Sequence, residues 1–174
     1  ACMESDDDLR HLVALISDTG LRLAEAAGLH KSDIHLDRKD GAVPHLVIRK
    51  HKWRPLKTST SERVVPLVGA SLWAAERIVL QPSEFCFPRY TNGERCNSNS
   101  ASASLNKWLK SVAGSSYVIH ALRHSFRDRL RAIDAPVDLI DQLGGWSLQT
   151  VGQSYGEGYE LEKMWEYMLR IELD

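Results

Sequence analysis

The sequence predicts an α+β domain, mainly helical with one small strand pair. Apolar residues recur at helical spacing along most of the chain, while only two stretches, residues 45–49 (H-L-V-I-R) and 63–67 (R-V-V-P-L), read as short strands. At 174 residues, with 43% hydrophobic and 26% charged content, the chain is long enough to bury one core and has the composition of a soluble protein, so a single domain over residues 1–174 is expected. No apolar run approaches the roughly 20 residues needed to cross a bilayer, and no secretory signal pattern opens the chain. Cys2, Cys86 and Cys96 are scattered, without a zinc-type repeat, and fit a reducing cytoplasm.

In chain order, Ser5 with Asp8 three residues on makes a capping-box-like start, and Leu9, Leu12, Val13 and Ile16 keep helical spacing behind it. Gly20 closes that helix, and a second is expected from about Leu21 to Gly28 or Leu29. Arg22 lies at its start, where a side chain reaches from a turn toward a ligand. Glu25, one turn on, can hold a guanidinium or imidazole; the plainer reading is a surface ion pair worth a few tenths of a kcal/mol.

The two strands are joined by a basic, Ser/Thr-rich connection with Lys57 near its turn, from which the ammonium can swing toward a phosphate or a leaving oxygen. Residues 70–80 read as helix and 81–97 mostly as loop. Leu105, Trp108, Leu109 and Val112 mark an amphipathic helix ended by Gly114, its aromatic side chain read as core and not as a base-stacking platform. Leu122, Phe126, Leu130 and Ile133 mark the next. Asp134-Ala135-Pro136 breaks the chain, Val137, Ile140 and Leu143 begin a short helix, and Leu143-Gly144-Gly145-Trp146 leads into a segment that reaches Tyr155. From Glu160 the tail is amphipathic, with Leu161, Met164, Trp165, Met168 and Leu169 on one face, fit either to pack on its own domain or to dock on a neighbouring subunit.

The formal net charge is −1, but it is unevenly placed. Residues 1–8 and 157–174 each carry four net negative charges, which leaves +7 in residues 9–156. Within that middle, residues 49–63 carry +5 and residues 120–131 carry +3. Two basic blocks framed by acidic ends can form a phosphate-facing surface on a nearly neutral protein.

The second block begins with His120-Ala-Leu-Arg-His124. On a helix His120, Arg123 and His124 fall at i, i+3 and i+4, so one face offers two imidazoles and a guanidinium. Arg gives a planar fork of donors and His moves protons near neutral pH, a pairing suited to a phosphate. A solvated, salt-bridged helix face is the plainer alternative.

Four motifs in order, Thr19-Gly-Leu-Arg22-Leu-Ala-Glu25, Leu56-Lys57-Thr58 with Arg63-Val-Val-Pro-Leu, His120-Ala-Leu-Arg-His124, and Leu143-Gly-Gly-Trp146 with Tyr155 nine residues on, resemble the catalytic domain of tyrosine recombinases, the phage integrase family. The resemblance implies a small antiparallel sheet in a mainly helical domain that cuts and reseals double-stranded DNA through a phosphotyrosine. Other recombinase protomers, assembled as a tetramer on DNA, are the implied partners. Residue by residue, it implies that Arg22 and Arg123 clamp the scissile phosphate, His120 transfers protons and Lys57 is the general acid for the leaving 5′ oxygen. It likewise makes Trp146 a donor to the phosphate through its indole N–H, Tyr155 the nucleophile, Glu25 a support and His124 a structural residue. Tyr159 is a second phenol within reach, and Lys50 and Lys52 are rival lysines. The DNA-clamping domain that usually precedes this one has no counterpart in the sequence, so the chain is expected to be a fragment.

The chemistry agrees with the resemblance. Displacement at a phosphodiester gathers negative charge on its oxygens, which preorganised cations stabilise, and two arginines with a lysine supply them without a metal. A tyrosine hydroxyl, with a pKa of about 10, needs such a pocket or a base to become a nucleophile. Because a phosphotyrosyl bond replaces the phosphodiester, rejoining needs no ATP, and no cofactor is expected. The alternatives are a DNA-binding or assembly module without chemistry, and a type IB topoisomerase with similar residues. A metal hydrolase built on His120 and His124 is disfavoured, because Ala121 stands where a zinc protease has Glu and no third ligand is evident.

Overall fold

Helix α1 (Asp8–Thr19) is the central strut of the domain. Its cap is Asp7, whose Oδ1 accepts from the backbone N–H groups of Leu9 and Arg10 at 3.0 Å each. This corrects the expected Ser5 and Asp8 start: Asp7 is extended, and its short carboxylate satisfies two of the helix's free donors at once. The computed structural model describes residues 2–58, 61–146 and 158–172.

Residues 11–16 of α1 are all buried, with α3 (Gly69–Ile78) and α5 (Ile119–Ala132) packed against the helix. Gly20 ends α1 with a left-handed φ of 62°, its N–H donating to Ile16 O at 2.9 Å. Helix α2 (Leu23–Ala27) follows after two residues, starting later than Leu21 because Arg22 takes the extended cap position.

The sheet has three antiparallel strands in sequential order, β1 (Ile34–His35), β2 (His45–Ile48) and β3 (Arg63–Pro66). β2 pairs β3 with Ile48 opposite Arg63, so the basic connection leaves from that end. β1 was not expected, since two residues carry no legible alternation.

Helix α4 (Ser98–Ala113) buries Ala101, Leu105 and Leu109 and half-buries Trp108, whereas Val112 in its exposed last turn faces solvent. α5 buries Phe126 and Leu130, and α6 (Val137–Gly144) buries Leu139, Ile140 and Leu143 but leaves Val137 exposed. Helix α7 (Leu161–Leu169) inserts Met164 and Met168 into its own domain and packs against β3. Among the described residues no helix is long and apolar enough to cross a membrane.

The basic blocks are less of a surface than their charge suggests. Arg54 and Arg63 are buried, and Arg49 pairs with buried Asp33, which leaves Lys50, Lys52 and Lys57 exposed from the first block. On α5, Arg127 pairs with Asp141, and Arg129 donates to Asp18, Ser17 O and Ile171 O. Much of this charge ties elements together.

Candidate active site

Because Gly20 turns the chain sharply, Arg22 emerges between α1 and α2, where it can cross to a distant segment. Its backbone N–H donates to Glu25 Oε2 at 2.9 Å and its Nη1 to Glu25 Oε1 at 2.7 Å, the reach-back that starts α2. Nη1 also donates to Ser61 Oγ at 3.1 Å, and Nη2 to Gly145 O at 2.8 Å. Glu25 is buried, so the plain surface ion pair does not describe it. Arg63 completes the group, donating through Nη2 to Glu25 Oε2 at 2.8 Å and through Nε to Leu143 O at 2.9 Å. Burial works to raise the Glu25 pKa, but the hydrogen bonds and charges of Arg63 and Arg22 outweigh it and hold the carboxyl below its ordinary range.

Arg123 lies on the buried side of α5, donating through Nη1 to Gly20 O and through Nη2 to Gly144 O at 2.7 Å. Arg22 and Arg123 thus hold adjacent carbonyls of one turn, that of Gly144 and Gly145. Burial, reinforced by the charges of Arg22 and Arg63, pushes the Arg123 pKa down to about 9, which still leaves it charged at neutral pH. The Trp146 ring packs on Arg123 and Arg127, with Arg123 Cζ 4.2 Å and Arg127 Cζ 4.8 Å from its centroid. The ring lies so close to Gly144 that a Cβ there would fall 1.8 Å from Trp146 Cζ3, so only glycine permits this fold-back.

The start of α5 is fixed by α4, since Ile119 N–H donates to Asn106 Oδ1 at 2.8 Å. His120 follows, exposed at the rim, with its ring edge-on to His124 at 4.9 Å between centroids. His124 is itself exposed, so it braces His120 from the solvent side and takes no part in the core. Burial, then the positive charges of His124, Arg123, Arg22 and Lys57, lower the His120 pKa below the usual imidazole value. Lys57 therefore shares the field of this site; it stands exposed on the connection between β2 and β3. A cleft of about 190 Å³ runs beside His120 and Arg123, walled by Ile16, Leu21, Leu23, Ile119 and Ser102.

The fold brings together Arg22, Glu25, Arg123, His120 and Trp146, with His124 at the rim and Lys57 on the neighbouring loop. Tyr155 lies outside the described residues. Tyr159 donates its phenol to Asp138 Oδ1 at 3.1 Å, and its backbone is held at both N–H and C=O by Gln142. Burial and then that carboxylate push the Tyr159 pKa up. Arg63 and Ser61 went unrecognised as parts of the site; an arginine opening a strand in a basic hairpin looks like a solvated charge, and only the fold reveals its buried carboxylate partner. Among the described residues there is no group of three or more His, Cys, Asp or Glu side chains able to hold a metal ion.

Residues 2–160 match the phage integrase family. Two relatives, the tyrosine recombinase XerC of Shewanella sp. strain ANA-3 and that of strain MR-4, are each 27% identical over 163 residues, which cover 88% of this chain and 50% of the relative. The chain thus spans about half the length of the curated relatives it matches. In fold it is similar to the Tn1549 transposon integrase in complex with transposon right end DNA, at TM-score 0.52 and 19% identity over 92% of this chain and 58% of that one. It is also similar to the same integrase with circular intermediate DNA, at TM-score 0.54 and 21% identity over 93% and 59%.

Proposed function

The chain belongs to the phage integrase family, and we propose that it cuts and rejoins double-stranded DNA at specific sites through a covalent 3′-phosphotyrosyl intermediate. The observation that carries this reading is the convergence of Arg22 and Arg123, 101 positions apart, on the adjacent carbonyls of Gly145 and Gly144. Glu25 is one carboxylate for three guanidinia, those of Arg22, Arg63 and Arg123, so the group keeps an excess of positive charge that a phosphodiester is of suitable size and charge to share.

In the proposed reaction the guanidinia of Arg22 and Arg123 bind the nonbridging oxygens of the scissile phosphate. The Tyr155 phenol oxygen forms a bond to phosphorus as the bond to the 5′ oxygen breaks. His120, kept neutral by its depressed pKa, takes the phenolic proton, and Lys57 gives a proton to the leaving 5′ oxygen. Trp146 holds Arg123 against its ring and offers its indole N–H to the phosphate. Attack by a 5′ hydroxyl reverses each transfer and restores a phosphodiester, with no ATP consumed. Tyr159 is the poorer candidate, because Asp138 and Gln142 tie down its phenol and its backbone and its pKa is raised. We place the activity at bacterial or phage DNA in the cytoplasm, with further copies of the protein as partners in integration or excision of a mobile element.

The test uses nicked duplexes of random sequence as suicide substrates, since a nick beside the cleavage point lets the released fragment diffuse away and traps the adduct. Duplexes captured covalently by the wild-type protein are recovered and used individually. An adduct that disappears in Tyr155→Phe and persists in Tyr159→Phe supports the reading. Duplex binding without an adduct leaves a DNA-binding module instead.

A further inference from the structure

Asp33 follows the turn after α2 and is wholly buried, yet it belongs to none of the site motifs. Its carboxylate is spent almost entirely on the segment that leads to Lys57. Arg49 Nε donates to Oδ1 at 2.8 Å, His51 Nε2 lies 2.7 Å from Oδ2, and Arg54 Nη2 is 4.0 Å from the same oxygen. Among the described residues the further donor is the backbone N–H of His30, at 3.1 Å. A buried carboxylate is costly unless its acceptors are satisfied, so this geometry fixes residues 49–54 against the base of the domain.

The rest of the turn is tied as firmly. His51 and Arg54 exchange backbone hydrogen bonds at 3.2 and 3.1 Å, and Trp53 donates its indole N–H to Gly28 O at 3.0 Å. The buried Arg54 donates through Nη2 to Arg49 O at 2.8 Å, closing the segment on itself. On the far side, Ser61 N–H donates to Thr58 O at 3.1 Å, while Ser61 Oγ and O accept from Arg22 and Arg63 at 3.1 and 2.7 Å. Between the two anchors stand Pro55, Leu56 and Lys57. Pro55 has a fixed φ, and Leu56 packs partly on the core, so little freedom remains in where the Lys57 stem begins.

We propose that Asp33 is a positioning residue for Lys57: by gripping Arg49, His51 and Arg54 it sets the loop from which the lysine reaches the leaving 5′ oxygen. The inference rests on the reading of Lys57 as the general acid. It accounts for a buried carboxylate that pairs with three side chains from one short segment.

The experiment uses a captured duplex in two forms, one natural and one with the 5′ bridging oxygen at the cleavage point replaced by sulfur. A thiol is far more acidic than an alcohol, so sulfur departs without a proton from the protein. Lys57→Ala and Asp33→Asn are each expected to slow adduct formation at least tenfold, toward about a hundredfold, on the oxygen duplex. Both should come within about twofold of wild type on the sulfur duplex, since the step they impair is bypassed. Arg49→Met, at the solvent edge of the network, gives a variant expected to fold and should show the same oxygen-specific loss to a smaller degree.

Normal rates for Asp33→Asn and Arg49→Met on oxygen, or loss that persists on sulfur while Lys57→Ala recovers, overturn the positioning role alone. Persistent loss in Lys57→Ala on sulfur overturns the general-acid assignment, and the inference with it.

Discussion

Arg63 and Glu25 face each other across the interior, Nη2 2.8 Å from Oε2 and Nη1 3.3 Å from Oε1, with both side chains almost completely shielded from water. Glu25 also accepts from Arg22, so one carboxylate is the counter-ion that lets the guanidinia of Arg22, Arg63 and Arg123 gather. Removing one partner of a buried pair strands the other. Glu25→Gln is therefore expected to lower stability by about 3–5 kcal/mol, read from urea unfolding. The pH dependence has a definite sign. Because the folded Glu25 pKa is depressed, its contribution is complete above the ordinary value of 4.5 and is lost as the pH falls from there through the lower folded value. Wild type should show a steeper acid limb of stability than Glu25→Gln, and parallel limbs would contradict the assignment.

The crowding at Arg123 makes a second prediction. Its pKa is pushed down to about 9 by burial and by the charges of Arg22 and Arg63, so an oxyanion placed between the guanidinia relieves a repulsion already present in the fold. Inorganic sulfate should stabilise the protein, by about 1.4 kcal/mol at ten times its dissociation constant. Chloride at matched ionic strength should not reproduce the effect, and Arg22→Gln should weaken it. Equal melting temperatures in the two salts would mean that the cluster takes no anion.

The parts of this design that could be read in the sequence are those written in local chemistry. Arg22 beside a helix start, Lys57 in a hairpin connection and the His120, Arg123, His124 face are set by spacing alone, and α5 follows from the recurrence of Phe126 and Leu130. Arg63 could not be read, because its role depends on a carboxylate 38 positions away. Asp33 was equally silent: its side-chain partners lie 16 to 21 positions downstream, and nothing local tells a buried acid from an exposed one. The tail illustrates the same limit. An apolar helical face announces that something covers it, and only the fold identifies the cover of Met164 and Met168 as the chain's own sheet.

His120 supplies a kinetic prediction. Its pKa is lowered first by burial and then by neighbouring positive charges, so the neutral base persists to more acid pH than a free imidazole allows. Adduct formation on a captured duplex should hold steady across neutrality and fall on a limb whose midpoint lies below about 6.5. Lys57→Ala and His124→Ala each remove a charge that lowers this pKa, and each should move the limb toward higher pH. A midpoint unaffected by both would exclude His120 as the group that titrates.

Gly144 tests whether Trp146 acts through its packing on Arg123. Alanine is the better helix former by roughly 1 kcal/mol, and Gly144 is the last residue of α6, so backbone propensity alone favours the substitution. A Cβ at this position would nevertheless fall 1.8 Å from Trp146 Cζ3 and 1.9 Å from Cε3, too close for the ring to stay. Gly144→Ala should therefore displace the indole from Arg123 and Arg127, shift the Trp146 indole N–H resonance, and slow adduct formation about tenfold or more through misplacement of the guanidinium. The global fold should survive, as judged by circular dichroism. In a Trp146→Ala background the ring is already gone, so adding Gly144→Ala should cost little further activity, a non-additivity that measures the coupling directly. Additive losses in the double variant would show that Gly144 matters to the turn carbonyls themselves, independently of the indole above them.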